Sequence, residues 1–178
     1  MKNFVNRYIP TKQMYTDYFS KASKPSKTAR IEGYVIAVLS IAGTVLALAN
    51  NMNIKYVSIL MLGIVGGIVL MNWHIIMAKK YFKEKLRLDG GKIKPVTVEF
   101  SSDEINADGK IVSYKRIRKI VEYNGNIFII LGRDIVITVR RDAFISGNAE
   151  EFIKFMKAEG FSFENKNAER KEERLGVG

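Results

Sequence analysis

The chain has no cysteine and one histidine, His74, among its 178 residues. Without thiols there are no disulfides, no thiolate metal sites and no cysteine nucleophile, and the redox compartment stays undecided. Catalytic signatures are missing as well: there is no Gly-x-Ser-x-Gly, no G-x-x-x-x-G-K-[ST], no H-E-x-x-H, no C-x-x-C and no metal-ligand spacing. With a single imidazole, acid–base chemistry would fall to carboxylates, Lys or Tyr. The obvious acidic pair, Asp103 and Glu104, reads as part of a strand turn. The expectation is therefore a chain that is not an enzyme and that holds neither cofactor nor metal. One further absence is more informative. Residues 33–49 (GYVIAVLSIAGTVLALA) and 56–78 (YVSILMLGIVGGIVLMNWHIIMA) contain no Asp, Glu, Lys or Arg.

Crossing ~30 Å of hydrocarbon at 1.5 Å per residue takes about 20 residues. The second run is long enough alone, and the first becomes adequate with Glu32 or Asn50 at the interface. Two membrane spans follow, at 33–50 and 56–78, the second extending beyond the bilayer. The lack of ionisable Asp, Glu, Lys or Arg inside either run counts against an ion or proton pathway, which ordinarily needs such groups. The first run begins only after a polar, aromatic-bearing segment, and no small-residue cleavage site follows it, so no cleavable signal peptide is expected.

The net charge of +11 invites a nucleic-acid reading, but its distribution argues against one. Residues 1–32 carry seven Lys/Arg against two acids, and residues 79–95 again carry seven against two. Residues 96–165 carry ten Lys/Arg against eleven acids. A DNA-binding domain would hold the charge itself. Basic flanks on the outer ends of a helical hairpin are what the positive-inside rule predicts. Both termini are expected in the cytoplasm, the hairpin in the plasma membrane, and the loop near Asn50 to Lys55 outside.

Residues 11–23 read as a short amphipathic helix within a basic arm over 1–30, capped by Thr11, with Tyr15, Tyr18, Phe19 and Ala22 at i, i+3, i+4 and i+7. Pro25, in the polar linker SKPSKTAR, is expected to stop it. Gly63 and Gly67 form G-x-x-x-G, and Gly43 and Ala47 a small-x-x-x-small pair, where backbones can approach closely. The short loop makes the spans antiparallel neighbours; homo-oligomerisation through these positions is the alternative use. Trp73 suits a membrane interface, and His74 beside it reads as a surface hydrogen-bonding residue. The second helix is expected to continue through KKYFKEKLRL and break at Asp89-Gly90-Gly91. Lys79, Lys80, Lys83, Lys85 and Arg87 then form a basic cluster suited to an anionic leaflet, each cation being worth about 1 kcal/mol there.

From Pro95 the period changes to two. Val96, Val98 and Phe100 alternate with polar residues. Strand-like pieces follow at Glu104 to Ala107, Lys110 to Tyr114, Ile117 to Tyr123, Ile127 to Leu131 and Ile135 to Val139. Asp108-Gly109 and Asn124-Gly125-Asn126 are hairpin turn signals. Short strands at this spacing predict an antiparallel meander curling into a small barrel over 95–165. Asn148 with Glu151 starts a closing helix, Phe152, Ile153, Phe155 and Met156 supply its apolar face, and Gly160 ends it. The tail, 166–178, alternates charges and is expected to be mobile. The strongest basic cluster in this part is Lys115, Arg116, Arg118 and Lys119. With Arg116 and Arg118 on one strand face, and with Arg133, Arg140 and Arg141, it offers candidate contacts for an anionic lipid or a protein partner.

The stretch VTVEFSSDEI…GKIVSYKRIRKIVEYNGNIFIIL…DIVITVRRDAF…EEFIKFMKAEG resembles the C-terminal domain of the YcxB-like family of bacterial membrane proteins. The upstream arm and the paired spans fit that family's layout. The resemblance implies an α+β membrane protein: a transmembrane α-helical hairpin followed by a pleckstrin-homology-like (PH-like) antiparallel barrel with a C-terminal helix. It carries no catalytic signature. The function expected is a membrane-anchored interaction or scaffold module, its partners being the lipid bilayer and either a protein segment or an anionic head group. The alternative is an oligomeric accessory subunit for transport or a channel.

Overall fold

The computed structural model describes residues 3–132 and 135–167. In chain order it comprises β1 (Phe4–Tyr8), α1 (Lys12–Asp17) with a π-helical turn (Tyr18–Ala22), and three helices, α2 (Lys24–Ala49), α3 (Ile54–Met71) and α4 (Trp73–Leu88). Then come β2 (Val96–Phe100), β3 (Glu104–Ala107), β4 (Lys110–Ser113), β5 (Lys119–Tyr123), β6 (Asn126–Ile130), β7 (Val136–Arg140) and β8 (Phe144–Ser146). Helix α5 (Ala149–Ala158) and β9 (Phe163–Asn165) close the described chain. It is an α+β architecture: two long apolar helices, then two sheets and a C-terminal helix.

The sheets differ from a simple antiparallel meander. One runs β4-β3-β2-β1-β8 and the other β7-β6-β5-β9. β9 lies parallel to β5, so the second sheet is mixed. β1 was not expected at all. It sits between β2 and β8, pairing Phe4 with Phe100 and Tyr8 with Val96 on one side, and Asn6 with Phe144 on the other. The N-terminal segment is thus no separate arm, because its first strand is interior to a sheet. Everything from α1 to α4 is an excursion between the adjacent strands β1 and β2.

The core between the sheets holds Phe4, Val98, Phe100, Ile105, Ile127, Ile129, Val139, Phe152 and Met156. Phe152 of α5 is the hub: its ring centroid lies 4.6 Å from that of Phe100 and 5.6 Å from that of Phe4. Asn148 caps α5 by accepting the Glu151 N–H at 2.9 Å. Gly147, just before it, has φ +75°, and a Cβ there would lie 2.5 Å from the Phe4 ring. β5 and β6 are buried on both faces, which explains their nearly continuous apolar runs. On their outer face Val121, Tyr123 and Phe128 pack against Tyr18, Phe19 and Ala22 of the π-turn and Ala78 of α4. The π-turn is a wedge between sheet and helix: Tyr18 meets Phe128 at 5.7 Å and Phe19 meets Tyr81 at 5.1 Å.

Two helix boundaries depart from the sequence reading. The linker around Pro25 is the start of α2; Pro25 occupies the first turn, where the missing N–H would have had no partner anyway. The run 56–78 is not one helix. It breaks at Asn72, whose amide donates to the Ile68 carbonyl at 2.9 Å and whose backbone ends α3 with φ −94° and ψ 12°. Asn side chains compete for backbone carbonyls in this way. The expected tail lies outside the described residues from position 168 onward.

Candidate functional site

Three regions carry candidate chemistry: the apolar hairpin, the basic run after it, and the polar end of the second sheet.

In the hairpin, α2 and α3 pack through small residues. A Cβ on Gly67 would meet the Gly33 carbonyl at 2.8 Å and Ala37 at 2.9 Å; a Cβ on Gly33 would meet the Gly67 carbonyl at 2.7 Å. A Cβ on Gly63 would collide with Ser40 at 2.2 Å, and Gly43 faces Leu60 at 3.0 Å. Ala47 is 2% exposed. All four small residues singled out in the sequence therefore lie along α2 and α3. Gly33 joins them; with Ala37 it forms a further small-x-x-x-small pair that the sequence reading did not single out. The outer faces are bare: Leu39 is 66% exposed and Leu62 70%. By length and composition both helices could cross a membrane.

In the basic run, the five cations divide. Lys85 binds Asp89 at 3.0 Å, and Arg87 forks onto Glu84 at 3.1 and 2.6 Å. The Lys94 N–H, and then the Lys85 ammonium, hold the Asp89 carboxyl below its ordinary range. Lys79, Lys80 and Lys83 are exposed, with no ion pair among the described residues. They are excluded from the buried face of α4, where Ala78 and Phe82 pack, the latter 6.1 Å from Tyr15.

In the sheets, the expected arginine cluster does not form. Lys115 and Arg116 lie in a 3-10 turn (Tyr114–Arg116), so Arg116 and Arg118 do not share a strand face. Ile117, read as the start of a strand, is extended but ends that turn, and β5 begins only at Lys119. Tyr114, at the start of the turn, is buried in the core and donates its hydroxyl to the Ser101 carbonyl at 2.8 Å. Burial pushes the Tyr114 phenol up to about 12. Arg118 is exposed, Lys119 pairs with Glu164, and Arg133 lies outside the described residues. Arg140 forks onto Asp142, while Arg141 bridges Glu122 and Glu150. The register puts Lys119 beside Ile130 and Val136 at one end of the second sheet, and Tyr123, Asn126 and Arg140 at the other. Five-residue strands separate those ends by about 13 Å. The two groups of cations cannot close on one phosphate.

The Arg140 end is the most structured polar region. Asn6 is fully buried; its amide donates to the Arg140 carbonyl at 2.7 Å and accepts the Arg140 N–H at 3.1 Å, joining the two sheets. Asn124 and Gly125, at φ +49° and +72°, make the tight hairpin turn between β5 and β6. Beside that turn α1 ends at Asp17, which is buried. Its carboxylate accepts from Gln13 at 2.8 Å, Asn124 at 3.3 Å and Asn126 at 3.5 Å. Burial pushes the Asp17 carboxyl above its ordinary range, and the amides of Gln13 and Asn124 oppose that. These groups line a cleft of about 370 Å³. The sequence reading passed over all of them: a lone Asp in an amphipathic helix reads as solvent-facing, and Asn124-Gly125-Asn126 reads as a turn. A second cavity, about 260 Å³, lies where α1 covers the seam between β2 and β7, lined by Tyr8, Tyr15, Lys85, Val98 and Thr138.

Among the described residues no group of three His, Cys, Asp or Glu could hold a metal ion. The chain matches no protein-family model, and neither a curated protein nor a solved structure is similar to it.

Proposed function

We propose that this chain is a membrane-anchored interaction module. Helices α2 and α3 cross the bilayer as a hairpin, both chain ends lie in the cytoplasm, and the two-sheet domain is a PH-like unit of the kind carried by the YcxB-like family. The observation that carries the reading is the hairpin's surface: each helix buries small residues against the other and leaves Leu39, Leu46, Ile59 and Leu62 bare. A core helix of a water-soluble protein would bury them, whereas hydrocarbon satisfies them at no cost. The 18 residues of α3 span about 27 Å. The 26 of α2 span about 39 Å, which leaves its first turns, with Lys27 and Arg30, in water. Exposed Lys79, Lys80 and Lys83 favour an anionic inner leaflet. Use of Gly63 and Gly67 within the hairpin counts against the oligomeric transport-subunit alternative.

The absence of native cysteine makes the topology test direct. In intact cells a membrane-impermeant maleimide should label Asn53→Cys, and should label Lys27→Cys and Lys83→Cys only after lysis. Labelling of Lys83→Cys from outside would overturn the hairpin.

A further inference from the structure

The cleft at the Arg140 end of the second sheet holds a buried acid with no counter-charge. Asp17 is 4% exposed, and no Lys or Arg pairs with it among the described residues. Lys21, one turn on, sets its Nζ over the Tyr123 ring at 5.6 Å instead. The three groups that do reach Asp17 are neutral amides, and two of those contacts are long, at 3.3 and 3.5 Å. A carboxylate withdrawn from water without a cation is costly to the fold.

The surrounding groups tell what would relieve that cost. Gln13, Asn124 and Asn126 each turn an amide nitrogen toward Asp17, so each presents its oxygen to another donor. Asn126 is 5% exposed, and its Oδ1 has no donor among the described residues. The arginines on the cleft's other wall are already neutralised, Arg140 by Asp142 and Arg141 by Glu122 and Glu150. The cleft's lining thus holds Asp17 and Asp142 beside Arg140 and Arg141, and Glu122 and Glu150 reach Arg141 from outside that lining. With both arginines paired, Asp17 is the one charged group of the lining without an ion pair among the described residues, and the amides around it add acceptor oxygens.

We propose that this cleft binds a small organic cation, seating a guanidinium between the Asp17 carboxylate and the side-chain oxygens of Asn124 and Asn126. A planar guanidinium with five N–H donors can take a carboxylate edge and amide oxygens together, which a compact ammonium with three donors does less completely. The site is independent of the hairpin's membrane role and needs no residue of the exposed basic run.

The test uses the full chain in detergent micelles and two probes of one shape, L-arginine amide and L-citrulline amide, in which a neutral urea replaces the guanidinium. Isothermal titration should register binding of the arginine probe, with the citrulline probe at least about thirtyfold weaker, the loss expected when one side of a buried charged contact is removed. Asp17→Asn should abolish the difference between the probes, and Lys154→Ala, at an exposed position of α5 outside the cleft, should leave it in place. Equal affinities for the two probes, no binding of the arginine probe, or an Asp17→Asn chain that still prefers it would each overturn the site. The probe comparison is made on the unsubstituted chain, so it decides the matter even if Asp17→Asn does not fold.

Discussion

At the scale of single residues, Asp17 is the one whose behaviour is least ordinary. Its carboxyl lies above its ordinary value of 3.8 because burial disfavours the charged form. Between 3.8 and the raised value the folded chain holds more protons there than the unfolded chain. Its contribution to stability is therefore fullest below that interval and is lost as pH rises through it. Glu84, Asp89 and Glu150, whose carboxyls are lowered, act in the opposite sense at more acid pH. The informative quantity is thus a difference: relative to the unsubstituted chain, Asp17→Asn should gain thermal stability on going from about pH 4 to about pH 6. Identical melting profiles across that range would contradict the assignment. Gly147 makes a second residue-scale prediction. Its φ of +75° and the Phe4 ring 2.5 Å from a virtual Cβ should make Gly147→Ala cost about 1–3 kcal/mol, measured by denaturant titration.

At the scale of elements, neighbouring glycines in α3 separate packing from propensity. A Cβ at Gly67 meets the Gly33 backbone, whereas one at Gly66 meets nothing within 4 Å. Gly67→Ala should lower the unfolding midpoint of the hairpin in detergent by the equivalent of about 1–3 kcal/mol, while Gly66→Ala should leave it unchanged or raise it. Equal effects would mean that α2 and α3 do not meet there. The elements also mark how far the sequence could be read. Asp108-Gly109 and Asn124-Gly125 were legible as turns because few other residues take positive φ in succession. The start of α5 was legible because Asn148 and Glu151 encode their own hydrogen bond. β1 was not, because Asn6, buried and turned inward, breaks the apolar alternation of FVNRY. Its place is decided by a bond to Arg140, 134 residues away.

At the scale of the whole molecule, the hairpin leaves and re-enters the domain between paired strands. β1 and β2 are neighbours, and the chain between them runs through α1, both apolar helices and α4. The π-turn and α4 then pack on the outer face of β5 and β6, so hairpin and domain are joined at two points. The C-terminal part is consequently not a separable unit, since removing β1 leaves β8 without its partner strand. Residues 95–167 expressed alone should give poorly dispersed amide spectra, and joining residues 3–23 to 72–167 through a flexible linker should restore dispersion. A well-folded 95–167 fragment would refute the interlocked arrangement.

What the sequence determined by itself is local or cumulative. Two uncharged runs, basic flanks, period-two strands, turn pairs and a capped helix each follow from the chemistry of nearby residues, and those interactions act over a few positions. What only the tertiary structure decided depends on residues far apart in the chain. The dispersal of Arg116, Arg118 and Arg140 to different ends of a sheet, the neutralising of Arg141 by Glu122 and Glu150, and the burial of Asp17 beside Asn126 all turn on strand register. Register is set by the summed packing of both sheet faces, and no short stretch of sequence carries that sum.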